Sequence, residues 1–144
     1  MALNNISVVI PCMGRADHVL ENLNHLSSLP AQIIVVDYSC PQNVGNLVKK
    51  HFPSVSVVEV PKKSFFDASE ARNEGLKQVR ENWVFFLDAD IILDTSLFKT
   101  GKSILSSGQY YILGNYRELG AYGSLLARTD IVREMGGYDL RFNG

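Results

Sequence analysis

Four short runs of aliphatic, β-branched and aromatic residues stand out along the first part of the chain: Ile6 to Ile10, Ile33 to Val36, Val55 to Val60 and Trp83 to Leu87. They are nearly continuous rather than alternating, which is the pattern of strands buried on both faces. Between them, positions recur at helical spacing, Ala16, Val19, Leu20, Leu23 and Leu26 in one stretch and Val44, Leu47, Val48 and His51 in the next. The alternation predicts βαβαβαβ order and a parallel sheet.

Helix-start signals agree with this reading. Ser39 to Gln42 and Asp67 to Glu70 both have capping-box spacing, ahead of a second helix and of a third that runs to about Val79. A fourth helix is predicted after Asp94 or Thr95, carrying Leu97, Phe98, Ile104 and Leu105. Strand-like Tyr110 to Leu113 and Gly123 to Ala127 follow without intervening helices, and Thr129 would cap a last short helix stopped by Gly136-Gly137. No repeat, low-complexity tract or linker interrupts the 144 residues, so one α/β domain over 1–144 is expected.

Composition narrows the function classes. A formal charge of -1, from 14 basic and 15 acidic residues, supplies no field for a nucleic-acid backbone. No stretch approaches the roughly 20 apolar residues of a membrane span, and the start has no signal-peptide pattern. Cys12 and Cys40 lack metal-type spacing and read as small core residues in a reducing compartment, so a cytoplasmic location is expected, including the cytoplasmic face of a membrane. His18, His25 and His51 fall on predicted helices without ligand spacing.

In open α/β sheets ligands bind at the carboxyl ends of the strands. The first such turn, Pro11-Cys12-Met13-Gly14-Arg15, has one glycine and cannot be a dinucleotide fingerprint. Gly101-Lys102-Ser103 resembles the end of a P-loop, but Ser96 stands where the first glycine is required and the triplet lies inside a predicted helix. The second strand ends in Asp37-Tyr38-Ser39, and the fourth runs into Asp88-Ala89-Asp90. Eight aspartates in 144 residues give a chance expectation of about 0.4 such Asp-x-Asp triplets, so position carries the signal. Residues i and i+2 of an extended chain project to one side, which places two carboxylates together where a Mg²⁺ or Mn²⁺ ion would find hard oxygen ligands. The bland alternative is a solvated loop. Arg72, in Ala71-Arg72-Asn73-Glu74-Gly75, sits one turn into a helix whose small residues Ala68, Ala71 and Gly75 permit close approach to the sheet. It could pair with Glu70 or Asp88, or face a ligand.

Taken in order, these segments resemble the GT-A-fold family 2 glycosyltransferases, which are inverting, metal-dependent enzymes using nucleotide-sugar donors. The resemblance rests on Ile6 to Arg15, Ile33 to Ser39, Ala71 to Gly75, Phe86 to Asp90, and Gly123 to Phe142 with its Gly136-Gly137-Tyr138-Asp139. It implies a GT-A, Rossmann-like sheet whose C-terminal part is incomplete, a UDP-sugar donor, a saccharide or other hydroxyl acceptor, and Mn²⁺ or Mg²⁺. By position, Pro11, Cys12, Met13, Gly14, Arg15, Asp37, Tyr38 and Ser39 would line the base and ribose pocket. Arg72 and Asn73 would meet the nucleotide, Asp88 and Ala89 the ribose or metal, and Asp90 with Asp88 would hold the metal and serve catalysis.

Three departures accompany the resemblance. Tyr38 stands where the family often has a second aspartate, and Met13-Gly14 replaces a common Tyr-Asn pair that stacks on the base. The family's usual Trp-Gly-x-Glu-Asp-like segment, which carries the acceptor's general base, has no counterpart before Gly144. The alternative this leaves is a non-catalytic nucleotide-sugar-binding or assembly module. On this reading the chain alone would transfer sugar poorly, and apolar surface on Ser124 to Ala127 and around Phe142 would favour self-association.

Overall fold

In the computed structural model, residues 5–93, 110–112 (backbone only) and 124–141 are described. The strands are β1 (Ile6–Cys12), β2 (Gln32–Tyr38), β3 (Ser56–Val60), β4 (Trp83–Phe86), β5 (Tyr110–Ile112) and β6 (Leu125–Arg128). The helices are α1 (Ala16–Leu26), α2 (Val44–His51), α3 (Ala68–Leu76) and α4 (Thr129–Glu134). They build one sheet in the order β3-β2-β1-β4-β6-β5. β3, β2, β1 and β4 are parallel, whereas β6 runs antiparallel to β4 and β5 antiparallel to β6.

Both faces of the parallel part are covered, which is why its strands read as continuous apolar runs. Val8, Ile10, Ile33, Val35 and Phe85 pack with α1 and α2 through Val19, Leu23, Val44 and Val48. Val9, Ile34, Val36, Val84 and Phe86 pack with α3 and α4 through Ala71, Leu76 and Val132. α3 lies close on its face: a Cβ added at Gly75 would come within 2.4 Å of Val9 Cγ1 and 3.0 Å of Val36 Cγ2. The small residues of this helix therefore do what their size implied.

Several boundaries differ from the sequence expectation, each for a local reason. β1 and β2 run past their apolar cores, because Pro11 and Cys12 still register with Val36 and Asp37. α2 does not use a Ser39 cap. Its N-cap is Asn43, at φ 52° and without a side-chain cap bond. Ser39 Oγ instead donates to the Val60 carbonyl and accepts from Lys63 N–H, while Gln42 Oε1 accepts from Ala16 N–H. Asp67 does cap α3, accepting from Glu70 N–H at 3.0 Å. α3 gives way to turns after Leu76, with the Nη2 of Arg133 donating to the Leu76 and Val79 carbonyls. Arg128, not Thr129, is the N-cap of α4, and the Thr129 hydroxyl donates to the Glu81 carbonyl.

The apolar edge expected at Ser124 to Ala127 is not exposed. β6 is paired on both sides, by β4 and β5, and Ser124, Leu126 and Ala127 are buried. The predicted fourth helix, Gly101-Lys102-Ser103 and Phe142 lie outside the described residues. No helix among the described residues is long and apolar enough to cross a membrane.

Candidate active site

The strand order creates the site. From β1 the chain moves outward through β2 to β3, then returns to the other side of β1 as β4, so the switch of direction falls between β1 and β4. Side chains at the carboxyl ends of two such strands diverge around a crevice. A cavity of about 380 Å³ lies there, walled by Pro11 at the end of β1 with Met13 and Arg15 after it, Asp88, Ala89 and Asp90 after β4, Phe66 just ahead of α3 and Arg72 within α3.

The Asp88-Ala89-Asp90 segment is not an extended strand end. Pairing continues as far as Leu87, whose N–H donates to the Val9 carbonyl, and the chain then turns, with Ile91 N–H donating to the Asp88 carbonyl at 3.1 Å. The projection argument for neighbouring carboxylates in an extended chain is therefore replaced by a turn that still brings both into one cavity. Asp88 is half-buried and Asp90 exposed. The turn is held from behind by Asn22 of α1, whose side chain is fully buried. Its Nδ2 donates to the carbonyls of Ala89 at 3.4 Å and Ile91 at 2.5 Å, and its Oδ1 accepts from Leu93 N–H at 3.3 Å. Sequence reading missed Asn22. The available signal was a polar residue one helical turn after Val19, inside the apolar stripe of α1.

Arg72 is 14% exposed and places Nη2 2.6 Å from Asp88 Oδ1. Its guanidinium lies over the Tyr138 ring, 5.1 Å from the centroid, and Tyr138 in turn packs edge-on against Phe86. Arg72 thus pairs with Asp88 and not Glu70, and it lines the cavity. Burial pushes the Tyr138 hydroxyl's pKa up, the nearby Arg72 opposes that shift and Asp88 adds to it. Tyr138 is positioned by Asn73, whose amide donates to the Tyr138 carbonyl at 2.9 Å and accepts from its N–H at 2.7 Å. Asn73 is spent on that backbone clamp and does not line the cavity.

The residues at the end of β2 and just after it are engaged with the protein itself. Asp37 accepts from Cys40 N–H at 2.8 Å and from Gly45 N–H at 2.9 Å, tying the β2 turn to the first turn of α2. A Cβ at Gly45 would lie 2.8 Å from Asp37 Oδ2, so any larger residue there has to displace that carboxylate. Tyr38 is buried, with its hydroxyl on Glu70, and Ser39 makes the two bonds given above. Asp37 and Ser39 border a separate, smaller hollow of about 200 Å³. Cys12 and Cys40 are buried and free, and Gly14 N–H donates to Cys40 Sγ at 3.3 Å. Burial first of all, with Cys40 nearby, pushes the Cys12 thiol up to about 12, which suits a packing role.

Among the described residues no three His, Cys, Asp or Glu side chains converge as a closed metal cage. The donor set at the cavity, two aspartates with Asp90 open to solvent, instead fits a hard cation of the Mg²⁺ or Mn²⁺ kind, which takes one or two carboxylates and completes its shell with phosphates and water.

The model of the family described as Glycosyl transferase family 2 matches residues 7–118. The chain belongs to glycosyl transferase family 2. Poly(ribitol-phosphate) β-N-acetylglucosaminyltransferase TarP of Staphylococcus aureus (strain N315) is 28% identical over an alignment of 131 residues that covers 81% of this chain and 40% of that protein. Among solved structures, S. aureus TarS 1-349 in complex with UDP superposes with a TM-score of 0.79 at 18% identity, over 97% of this chain and 52% of that one. The mannosyltransferase PcManGT from Pyrobaculum calidifontis, in complex with GDP-Man and Mn²⁺, gives 0.73 at 15% identity, over 94% and 48%. The family 2 chain described here thus has the GT-A fold and spans about half the length of these relatives or less.

Proposed function

We propose that this family 2 chain binds the donor of a glycosyl transfer, a UDP-sugar, in the crevice between β1 and β4, and supports inverting transfer of the sugar to an acceptor hydroxyl. The observation that carries the reading is the convergence of Asp88, Asp90, Arg72 and Arg15 on one cavity at the topological switch point. The TarS complex with UDP and the family membership support a nucleotide donor, and the PcManGT complex with Mn²⁺ supports a divalent ion.

Asp90, with Asp88, would hold that Mn²⁺ or Mg²⁺, and the bound ion would supply charge neutralisation for the departing diphosphate. Asp88 accepts from Arg72 through Oδ1, and a carboxylate has acceptor sites to spare for a second partner. Arg72, fixed by Asp88 and Tyr138, offers its remaining donors to the nucleotide, and its buried Nε has no partner among the described residues. Asn22 keeps the turn that carries both aspartates in place.

Calorimetric titration of UDP tests this. Binding is expected with Mn²⁺ and should fall at least tenfold in EDTA, and Asp90→Ala should remove most of the metal-dependent part. Equal affinity in EDTA would eliminate the ion, and no binding at millimolar UDP would overturn the donor site.

A further inference from the structure

Phe66 is an exposed apolar side chain that the fold does not need for its core. It is 43% exposed and lies in the connection ahead of the Asp67 cap. Exposed aromatics occurring singly need no explanation, but this one is held in place. Its ring meets Tyr38 edge-on, with centroids 5.7 Å apart and planes at 85°. Tyr38 is itself buried and tied through its hydroxyl to Glu70, which also takes an ion pair from Lys63. A ring oriented through a chain of contacts to buried structure is preorganised, so using its free face loses little conformational entropy.

That ring lines the same cavity as Arg72 and Asp88. The cavity's other apolar wall is Pro11 and Met13, neither of which has a π face. Among the described residues the crevice therefore pairs charged groups suited to a diphosphate with one aromatic surface, and a nucleotide is an anion joined to a flat heteroaromatic base. We infer that Phe66 is the base-stacking residue of this donor site, supplying the aromatic face that Met13 does not. The inference rests on the donor-site reading above and deepens it.

Stacking of a base on an aromatic side chain predicts a loss of roughly 5- to 150-fold in affinity on truncation to alanine. The test is calorimetry on the full chain with two probes, UDP–Mn²⁺ and the baseless pyrophosphate–Mn²⁺. Phe66→Ala should weaken UDP by that factor and leave pyrophosphate unchanged. Phe66→Tyr should retain UDP affinity, and Phe66→Leu, apolar but without a π face, should fall between. Phe65→Ala, at a neighbouring exposed ring that does not line the cavity, should change neither. Equal weakening of both probes would make Phe66 a support of the loop, and unchanged UDP binding in Phe66→Ala would remove it from the site. Either result overturns the inference while leaving the donor site standing. Failure of the unsubstituted chain to bind UDP would overturn the donor site and the inference with it.

Discussion

Arg72 Nη2 stands 2.6 Å from Asp88 Oδ1, while the same guanidinium covers the Tyr138 ring. One side chain thereby joins α3, the turn after β4 and the segment after α4. The pair is mostly shielded, at 14% and 27% exposure, so its worth lies between that of a surface pair and a fully buried one. Arg72→Ala should cost about 1–3 kcal/mol, because it strands a half-buried carboxylate and uncovers Tyr138. Arg72→Lys keeps the charge but not the planar face, and should lose less. Urea denaturation midpoints check the order. Equal stability of the alanine variant and the parent would mean that the pair contributes nothing.

Gly75 makes a sharper packing prediction. Alanine there gains up to about 1 kcal/mol of helix propensity, but its Cβ would overlap Val9 and Val36. Overpacking of a close interface typically costs about 1–3 kcal/mol, so Gly75→Ala should be net destabilising in spite of the helix preference. Combining it with Val9→Ala removes the nearest obstacle. The double variant should then be more stable than the sum of the single losses predicts, and strict additivity in thermal melts would contradict the close approach.

Asn22 is predicted to act through the turn it holds. Asn22→Leu keeps the branched four-atom shape, though with bulkier methyl groups, and leaves the Leu93 N–H and the Ile91 carbonyl without the side-chain partners they have now. The cost should be about 2–3 kcal/mol. Hydrogen exchange gives the local readout, because the Leu93 amide should lose protection more than amides in β1. A uniform change across both elements would indicate global destabilisation only.

How far the sequence reveals this molecule differs by feature. β1 to β4 are legible because each is an apolar run long enough to be covered on both faces, and α3 because Asp67 and the small residues announce its start and its fit. Strand ends are less so, since Pro11 and Asp37 interrupt the apolar run without interrupting the pairing. At the candidate site, the strand-end placement of Asp88 and Asp90 is readable from position, whereas position alone leaves Arg72 open between an ion pair and a ligand. What Asp37 does is not readable, because a strand-end aspartate that accepts from Cys40 and Gly45 N–H looks the same in sequence as one reserved for a ligand. Phe66 escapes notice for the opposite reason. Phe65-Phe66 belongs to no helical or strand period, and only the folded connection shows which ring meets the crevice.

The last prediction concerns pH and the support behind Phe66. The hydrogen bond from Lys63 foremost, and then that from Tyr38, hold the Glu70 carboxyl below its ordinary value of 4.5. In the other direction, burial and then the Glu70 bond push the Tyr38 hydroxyl up. A carboxyl more acidic in the native state than in the unfolded one adds stability that is fully present above the unfolded value. That stability is lost as pH falls through the native value. The stability gap between the parent and Glu70→Gln should therefore be flat near neutrality, begin to close below about pH 4.5 and continue closing beneath it. Urea titrations at stepped pH measure the gap directly. A gap that stays constant or widens on acidification would show that Glu70 is not the ionised anchor of Tyr38, and would leave the orientation of Phe66 to packing alone.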